Sequence, residues 1–286
     1  MAGISAKDVK ALRDQTGAGM MDCKRALVDA SGDTEKALEL LRERGLAKAG
    51  TRAGRATSEG SVGMFLAGPS AGLIELGCET DFVAKTDEFQ ACANEIARAV
   101  SEDALAEGLE QALAAKLGDG TVEDRIGAVA TKVGENVQLK RAARLCVDEG
   151  VTGGYVHAGG KLGVIVGFRT PAAAEDVQSV AKDIAMHVAA TDPTPIAVDR
   201  DGIPAEVSDK ERDILRRQAE QSGKPENVVE RIVEGRMNKF YQEYCLLEQA
   251  FVKDPDRSVG DLLGDAGEGA AVTGFIRFRV GEGEAG

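Results

Sequence analysis

The feature that most constrains the fold of this chain is an internal repeat. Glu59-Gly60-Ser61-Val62-Gly63 is followed by an apolar strand pattern, then Gly77, Thr80 and a helical pattern around Ile96-Ala97. The same order returns as Glu149-Gly150-Val151-Thr152-Gly153, an apolar strand, Gly167, Thr170 and a helical pattern around Ile184-Ala185. One strand pair cannot bury a face by itself, so each copy predicts a small antiparallel sheet with helices on one face. The expected class is α+β, built from two related subdomains. Leu139 to Leu145 supplies a further strand to the first copy, and Thr273 to Val280 does so for the second.

Ahead of the repeat, residues 4 to 45 read as three short helices, and 1–46 is assigned to this module. Ser5 caps a first helix with Val9, Leu12 and the stem of Arg13 on its apolar face, and Gly17-Ala18-Gly19 breaks it. Met20, Cys23 and Leu27 recur at helical spacing in the second, which Asp29-Ala30-Ser31-Gly32 ends. Asp33 caps a third helix carrying Ala37, Leu40 and Leu41, with Gly45 as its stop. A phosphate-loop reading of Gly17-Ala18-Gly19 is weak, because no strand precedes it and no Gly-Lys-Ser/Thr ending follows.

The glycine-punctuated, basic stretch 47–60, with Lys48, Arg52 and Arg55, reads as a linker. The first subdomain is expected over 61–147, with helices from Ser101 to Gly120 and from Val122 to Val133. The second is expected over 148–206 and 251–286. Between its two parts lies a helical hairpin, 207–250, with arms Ser208 to Gln221 and Glu226 to about Gln249 around a Ser222-Gly223-Lys224-Pro225 turn. Val233, Met237, Phe240, Tyr244 and Leu247 alternate four- and three-residue steps, the pattern of a coiled-coil seam. Such a seam serves either a projecting antiparallel pair or packing onto the body.

Composition excludes several classes of function. With 48 acidic against 35 basic residues the net charge is −13, which opposes binding that depends on neutralising phosphates, so no nucleic-acid partner is expected. The N-terminus carries no apolar signal region, and no run approaches the roughly 18 apolar residues of a membrane span, so no membrane association and a cytoplasmic location are expected. Cys23, Cys78, Cys92, Cys146 and Cys245 are scattered, with no C-x-x-C pair, and read as reduced, mostly buried thiols. Of the two histidines, His157 lies in a strand or turn and His187 in a helix without a second ligand at i+4; neither spacing demands metal, cofactor or Cys-His catalysis.

The stretch from Leu73 to Phe89 turns from strand to helix. Thr80 or Asp81 can cap the helix opened by Phe82, Val83 and Phe89, placing a charge and an apolar ring side by side on a corner. The second copy has Thr170-Pro171-Ala172-Ala173 there, so the acid and the ring belong to one copy only. Phe82 either packs beneath the helix that starts there or is presented to another protein.

Thr80-Asp81-Phe82-Val83-Ala84-Lys85, taken with Thr16-Gly17-Ala18-Gly19-Met20-Met21-Asp22-Cys23-Lys24, resembles the bacterial elongation factor Ts family, the guanine-nucleotide exchange factors of elongation factor Tu. Gln221-Ser222-Gly223-Lys224-Pro225 and Val233-Glu234-Gly235-Arg236-Met237 are similar to that family's coiled-coil protrusion. The resemblance implies an N-terminal module of the ubiquitin-associated type. It also implies a non-enzymatic activity, in which the chain binds elongation factor Tu in its GDP-bound and nucleotide-free forms, displaces Mg²⁺ and promotes GDP release. By the same resemblance Thr80, Asp81, Phe82 and Val83 are the site, Met20, Met21 and Lys24 a second contact, and His187, in its Ala-Met-His-Val-Ala-Ala context, a secondary one. Some members continue into a C-terminal helical module; none follows Val280 here, so its contacts are not expected. An adaptor acting through the three-helix module, and an enzyme with Cys78 or Cys146 as nucleophile, are the competing readings.

Overall fold

The computed structural model describes residues 4–16, 18–52, 54–103, 108–170, 174–221 and 223–283, with backbone alone at 45–52 and 174–176. Gly17, Ser222 and the second-copy corner Pro171-Ala172-Ala173 lie outside the described residues. The architecture is α+β, with helices and small antiparallel sheets.

Helices α1 (Ala6–Thr16), α2 (Met20–Asp29) and α3 (Thr34–Arg52) close around Val9, Leu12, Cys23, Ala26, Leu27, Ala37 and Leu41. The Ser5 hydroxyl accepts the Asp8 amide at 3.2 Å, and Asp33 Oδ1 accepts the amides of Glu35 and Lys36 at 3.1 and 3.2 Å. Both caps satisfy donors that a helix start leaves unpaired. Two expectations are corrected. Met20 points to solvent, and Ala26 sits in the core beside Leu27 instead. Gly45 does not stop α3, which runs on to Arg52 through the first half of the expected linker. A glycine inside a helix costs only about 1 kcal/mol, and the Leu46-Ala47-Lys48-Ala49 that follows it favours helix.

The first copy of the repeat comprises β1 (Glu59–Ala67), β2 (Ser70–Cys78), α4 (Asp81–Ala84), α5 (Asp87–Glu102), α6 (Leu109–Ala114), the short hairpin β3 (Lys116–Leu117) and β4 (Gly120–Thr121), α7 (Val122–Val133) and β5 (Val137–Cys146). The stretch from Ser101 to Gly120 is thus not one helix: α5 ends at Glu102, and 104–107 lie outside the described residues. The second copy comprises β6 (Gly150–Val156), β7 (Leu162–Arg169), α8 (Ala174–Ala190) and β10 (Ala271–Arg279). Between α8 and β10 come α9 (Ala205–Glu220), α10 (Glu226–Tyr244), a 3₁₀ turn at Leu246–Glu248, β8 (Ala250–Phe251), β9 (Asp254–Ser258) and α11 (Val259–Gly264).

The two main sheets have the same order, β1-β2-β5 and β6-β7-β10, each a hairpin with a third strand beside its second. The repeat extends to the helix contact. A Cβ on Gly63 would lie 2.1 Å from the Ala93 carbonyl oxygen, and one on Gly153 would lie 2.5 Å from Ala181 Cβ. Only glycine lets α5 and α8 lie this close to a strand.

The chain divides into two units, one of Met1–Gly63, Ile74–Ala143 and Arg279–Gly286, the other of Met64–Leu73 and Arg144–Phe278. In the second unit, α8 and the 3₁₀ turn bury Val177, Ile184, Val188 and Leu246 with Val164 and Phe168 of β7. The hairpin tip between β1 and β2 also belongs here: Thr152 donates its amide and hydroxyl to the Gly68 carbonyl at 2.7 and 2.9 Å. Helices α9 and α10 pack through Leu215, Ala219, Val229, Val233 and Met237. The expected seam ends early. α10 stops at Tyr244, and Leu247 turns into the core that holds Phe168, because Cys245 leaves helical geometry at φ −94°, ψ 119°.

In the first unit, Glu75 is the polar position inside the buried strand β2, and its side chain is 4% exposed. Its Oε2 meets Arg141 Nε at 2.6 Å, its Oε1 accepts the Gly281 amide at 2.8 Å, and Arg141 donates to the Arg279 carbonyl at 2.6 Å. Arg141 keeps 30% exposure, so the two partners differ in what their removal leaves behind. Arg141→Met strands a buried carboxylate and is expected to cost about 3 kcal/mol or more. Glu75→Gln leaves a guanidinium that water can reach and is expected to cost about 1–2 kcal/mol. Urea unfolding of both variants checks this; equal losses would show that the difference in burial does not govern the pair.

Candidate partner-binding corner

The corner is assembled by two consecutive caps. β2 ends at Cys78, and Thr80, in extended geometry, accepts the Val83 amide on its hydroxyl at 3.4 Å while its carbonyl accepts the Ala84 amide at 3.2 Å. One short turn later Thr86 accepts the Phe89 amide at 3.3 Å and donates its own hydroxyl to the Val83 carbonyl at 2.8 Å. Thr80, of the two residues able to cap, is the cap. Buried Ala84 and Phe89 anchor the turn from below.

Phe82, on the four-residue α4, does not pack beneath the helix. Its ring is 81% exposed, the most exposed large apolar side chain among the described residues. Val83 beside it is half-buried. Asp81 Oδ2 lies 2.7 Å from Lys85 Nζ, an i,i+4 pair with both partners well exposed. Such an exposed pair contributes little stability, about 0.3–0.5 kcal/mol.

Sequence reasoning missed the groups that hold this corner from behind. Gly134, at φ +81°, ends α7 in the left-handed conformation and turns Glu135 back toward β2. Glu135 Oε2 accepts the amides of Glu79 and Thr80 at 3.1 and 3.0 Å, and its Oε1 accepts the Thr80 hydroxyl at 2.7 Å. Asn136 donates its amide to Glu79 Oε1 at 2.7 Å and its side chain to the Arg55 carbonyl at 2.8 Å, while Arg55 Nη1 lies 3.3 Å from Glu79. The one local sign was an acid and an asparagine directly after a helix-ending glycine. The partners sit 55–57 residues away in the chain, where no local pattern reaches.

The other nominated residues fall into two groups. Met20 and Met21, at 53% and 63% exposure, and Lys24 stand on the solvent side of α2. His187 is fully buried and offers no surface to a partner in this conformation. Its Nδ1 accepts the Val252 amide at 3.2 Å, so the proton sits on Nε2 and is donated to Gln249 Oε1 at 2.9 Å. Gln249 in turn donates to the carbonyls of Pro193 and Glu243 at 3.0 and 2.6 Å. Burial pushes the imidazole below its ordinary pKa, and the Gln249 bond opposes that in part.

Three of the thiols, those of Cys78, Cys92 and Cys245, are held protonated by burial. Cys78 is buried and donates to the Thr80 carbonyl at 3.2 Å, and burial pushes its pKa up to about 12. Cys92 is likewise at about 12 and Cys245 at about 11, whereas Cys146 is exposed. No helix among the described residues is long and apolar enough to cross a membrane.

A family model described as Elongation factor TS matches residues 79–282, beginning at the residue that Glu135 and Asn136 hold. The chain belongs to the elongation factor Ts family. Proteins named Elongation factor Ts are similar over nearly its full length: 45% identity in Prosthecochloris aestuarii, covering 98% of this chain and 100% of that protein, and 42% in Maricaulis maris, covering 99% and 94%. The protein of Bradyrhizobium diazoefficiens is 43% identical, with 99% and 94% covered. Membership of the elongation factor Ts family places the chain among the elongation factors of protein biosynthesis.

Two outcomes are expected from this geometry. Alkylation of the native protein at neutral pH labels Cys146 and spares Cys78, Cys92 and Cys245, as read by mass spectrometry; rapid loss of the Cys78 thiol would overturn the buried, protonated state described above. Folded His187 holds its pKa below the ordinary value, whereas the unfolded imidazole takes up a proton near pH 6.5. The unfolded state therefore binds more protons below that pH, and stability falls as pH drops from 6.5 toward the lowered folded pKa. His187→Gln is expected to flatten the dependence of unfolding free energy on pH between 7 and 5, and a slope that survives would assign it to another group.

Proposed function

We propose that this chain accelerates GDP release from elongation factor Tu during translation elongation, in the cytoplasm, by displacing Mg²⁺ from the GTPase. The observation that carries the reading is Phe82: an aromatic ring 81% exposed on a backbone capped twice and held from behind. A buried Phe side chain is worth about 1.5–3 kcal/mol, and this one gains that only when a partner covers it.

A P-loop GTPase holds its nucleotide through loop amides, a lysine and a Mg²⁺ bridging the phosphates. In the proposed mechanism Phe82 enters the GTPase domain as a wedge, and Asp81 exchanges Lys85 for groups around the Mg²⁺ site. Thr80 and Val83 fix the corner. Because the wedge fits the nucleotide-free form best, the factor weakens nucleotide binding by the same ratio that nucleotide weakens its own. No covalent step is needed.

Met20, Met21 and Lys24 extend the contact from α2 onto the same GTPase domain, with α1–α3 acting as a module of the ubiquitin-associated type. Helices α9 and α10 form a projecting antiparallel coiled coil, and the second copy of the repeat grips another domain of the partner. His187 supports that copy from inside its core. Phe82→Ala is expected to slow release of a fluorescent GDP from elongation factor Tu, with Mg²⁺ present, by about one to two orders of magnitude. Acceleration that survives the substitution would remove the wedge. No acceleration by the intact chain would overturn exchange itself and favour an adaptor working through residues 1–46.

A further inference from the structure

We infer that Glu135 is a positioning residue for exchange, whose carboxylate locks the strand-to-helix corner so that Phe82 meets the partner in one orientation. The inference rests on the exchange reading above. Both oxygens of the carboxylate are used: Oε2 by the amides of Glu79 and Thr80, Oε1 by the Thr80 hydroxyl. That hydroxyl is also the acceptor that caps α4 through Val83, so its proton must point away from Val83, and Glu135 is where it points. The capping direction of Thr80 is therefore set by the acceptor oxygen of a side chain 55 residues away.

The latch is reciprocal. Glu79 gives its amide to Glu135 and takes the amide of Asn136 on its own carboxylate. Two adjacent residues after β2 are thereby tied to two adjacent residues after α7, at the junction where a strand entering a four-residue helix would otherwise hinge. An exposed ring on a hinging backbone would spend part of its burial energy on ordering itself. On a locked backbone that energy is available to distort the partner's nucleotide site.

An amide cannot replace this carboxylate. Glutamine has one acceptor oxygen. Facing it toward the two backbone amides turns its NH₂ toward Thr80 Oγ1 and requires the hydroxyl to reverse; facing it the other way sets NH₂ against two N–H donors. Glu135→Gln is thus a change of similar size that breaks the lock, and Glu135→Asp keeps both oxygens with a shorter reach.

The test measures release of fluorescent GDP from elongation factor Tu with the intact chain, Glu135→Gln, Glu135→Asp, Phe82→Ala and the Glu135→Gln/Phe82→Ala double variant. Glu135→Gln is expected to lower the maximal acceleration at saturating factor by about tenfold while shifting the half-saturating concentration by less than about threefold, with Glu135→Asp in between. In the Phe82→Ala background the same change is expected to cost less than about twofold, because the ring through which it acts is gone. Amide hydrogen exchange at Glu79, Thr80 and Val83 is expected to speed up in Glu135→Gln while the buried amides of β2 keep their protection. An unchanged maximal rate in Glu135→Gln, or an equal loss with and without Phe82, overturns the inference and leaves exchange standing. An intact chain that does not accelerate release overturns both.

Discussion

Much of this molecule depends on a helix lying against a sheet closely enough that a single methyl group would not fit. Gly63 and Gly153 are the points of closest approach to Ala93 and Ala181, at matching places in the two copies of the repeat. A three-stranded sheet has too little area to bury a face at a distance, so the helix must come down onto the strands. That approach keeps β2 and β7 almost wholly buried, and a buried strand has a fixed end. The corner after β2 starts from that fixed end.

Two phenylalanines on the corner show how its burial is distributed. Phe89, fully buried, anchors the turn, while Phe82, seven residues earlier, stands in water. The exposure is tolerated because the backbone beneath Phe82 is satisfied independently of its ring, through Thr80, Thr86 and Glu135. A chain that held this loop only by burying its aromatic ring could not offer that ring to a partner. Stability and presentation are thus carried by different groups, which lets the apolar surface remain available for an interface.

Where the structure departs from the sequence pattern, local signals are outvoted by their surroundings. Gly45 looks like a helix stop, but the residues after it favour helix and α3 continues to Arg52. Leu247 continues a heptad on paper, but the backbone leaves the helix at Cys245 and delivers the side chain to a different core. Met20 shares a period with Cys23 and Leu27, yet the three-helix core closes on Ala26 and leaves Met20 in solvent. Periodicity reports that a helix has an apolar stripe without saying how wide a neighbour will cover it.

The sequence by itself determined the α+β class, the repeat with its paired glycines, the three N-terminal helices, the helical pair and a corner carrying Asp81 beside Phe82, because each is written in short-range spacing or in direct comparison of one copy with the other. Only the tertiary structure decided that Phe82 faces water, that His187 is a neutral core residue bonded to Gln249 and Val252, and that Glu75 is buried on Arg141. It alone brought Glu135 to Thr80. These are pairings across 55 to 66 residues of chain, and a side chain's type constrains its near neighbours far more than it constrains which distant segment will close over it.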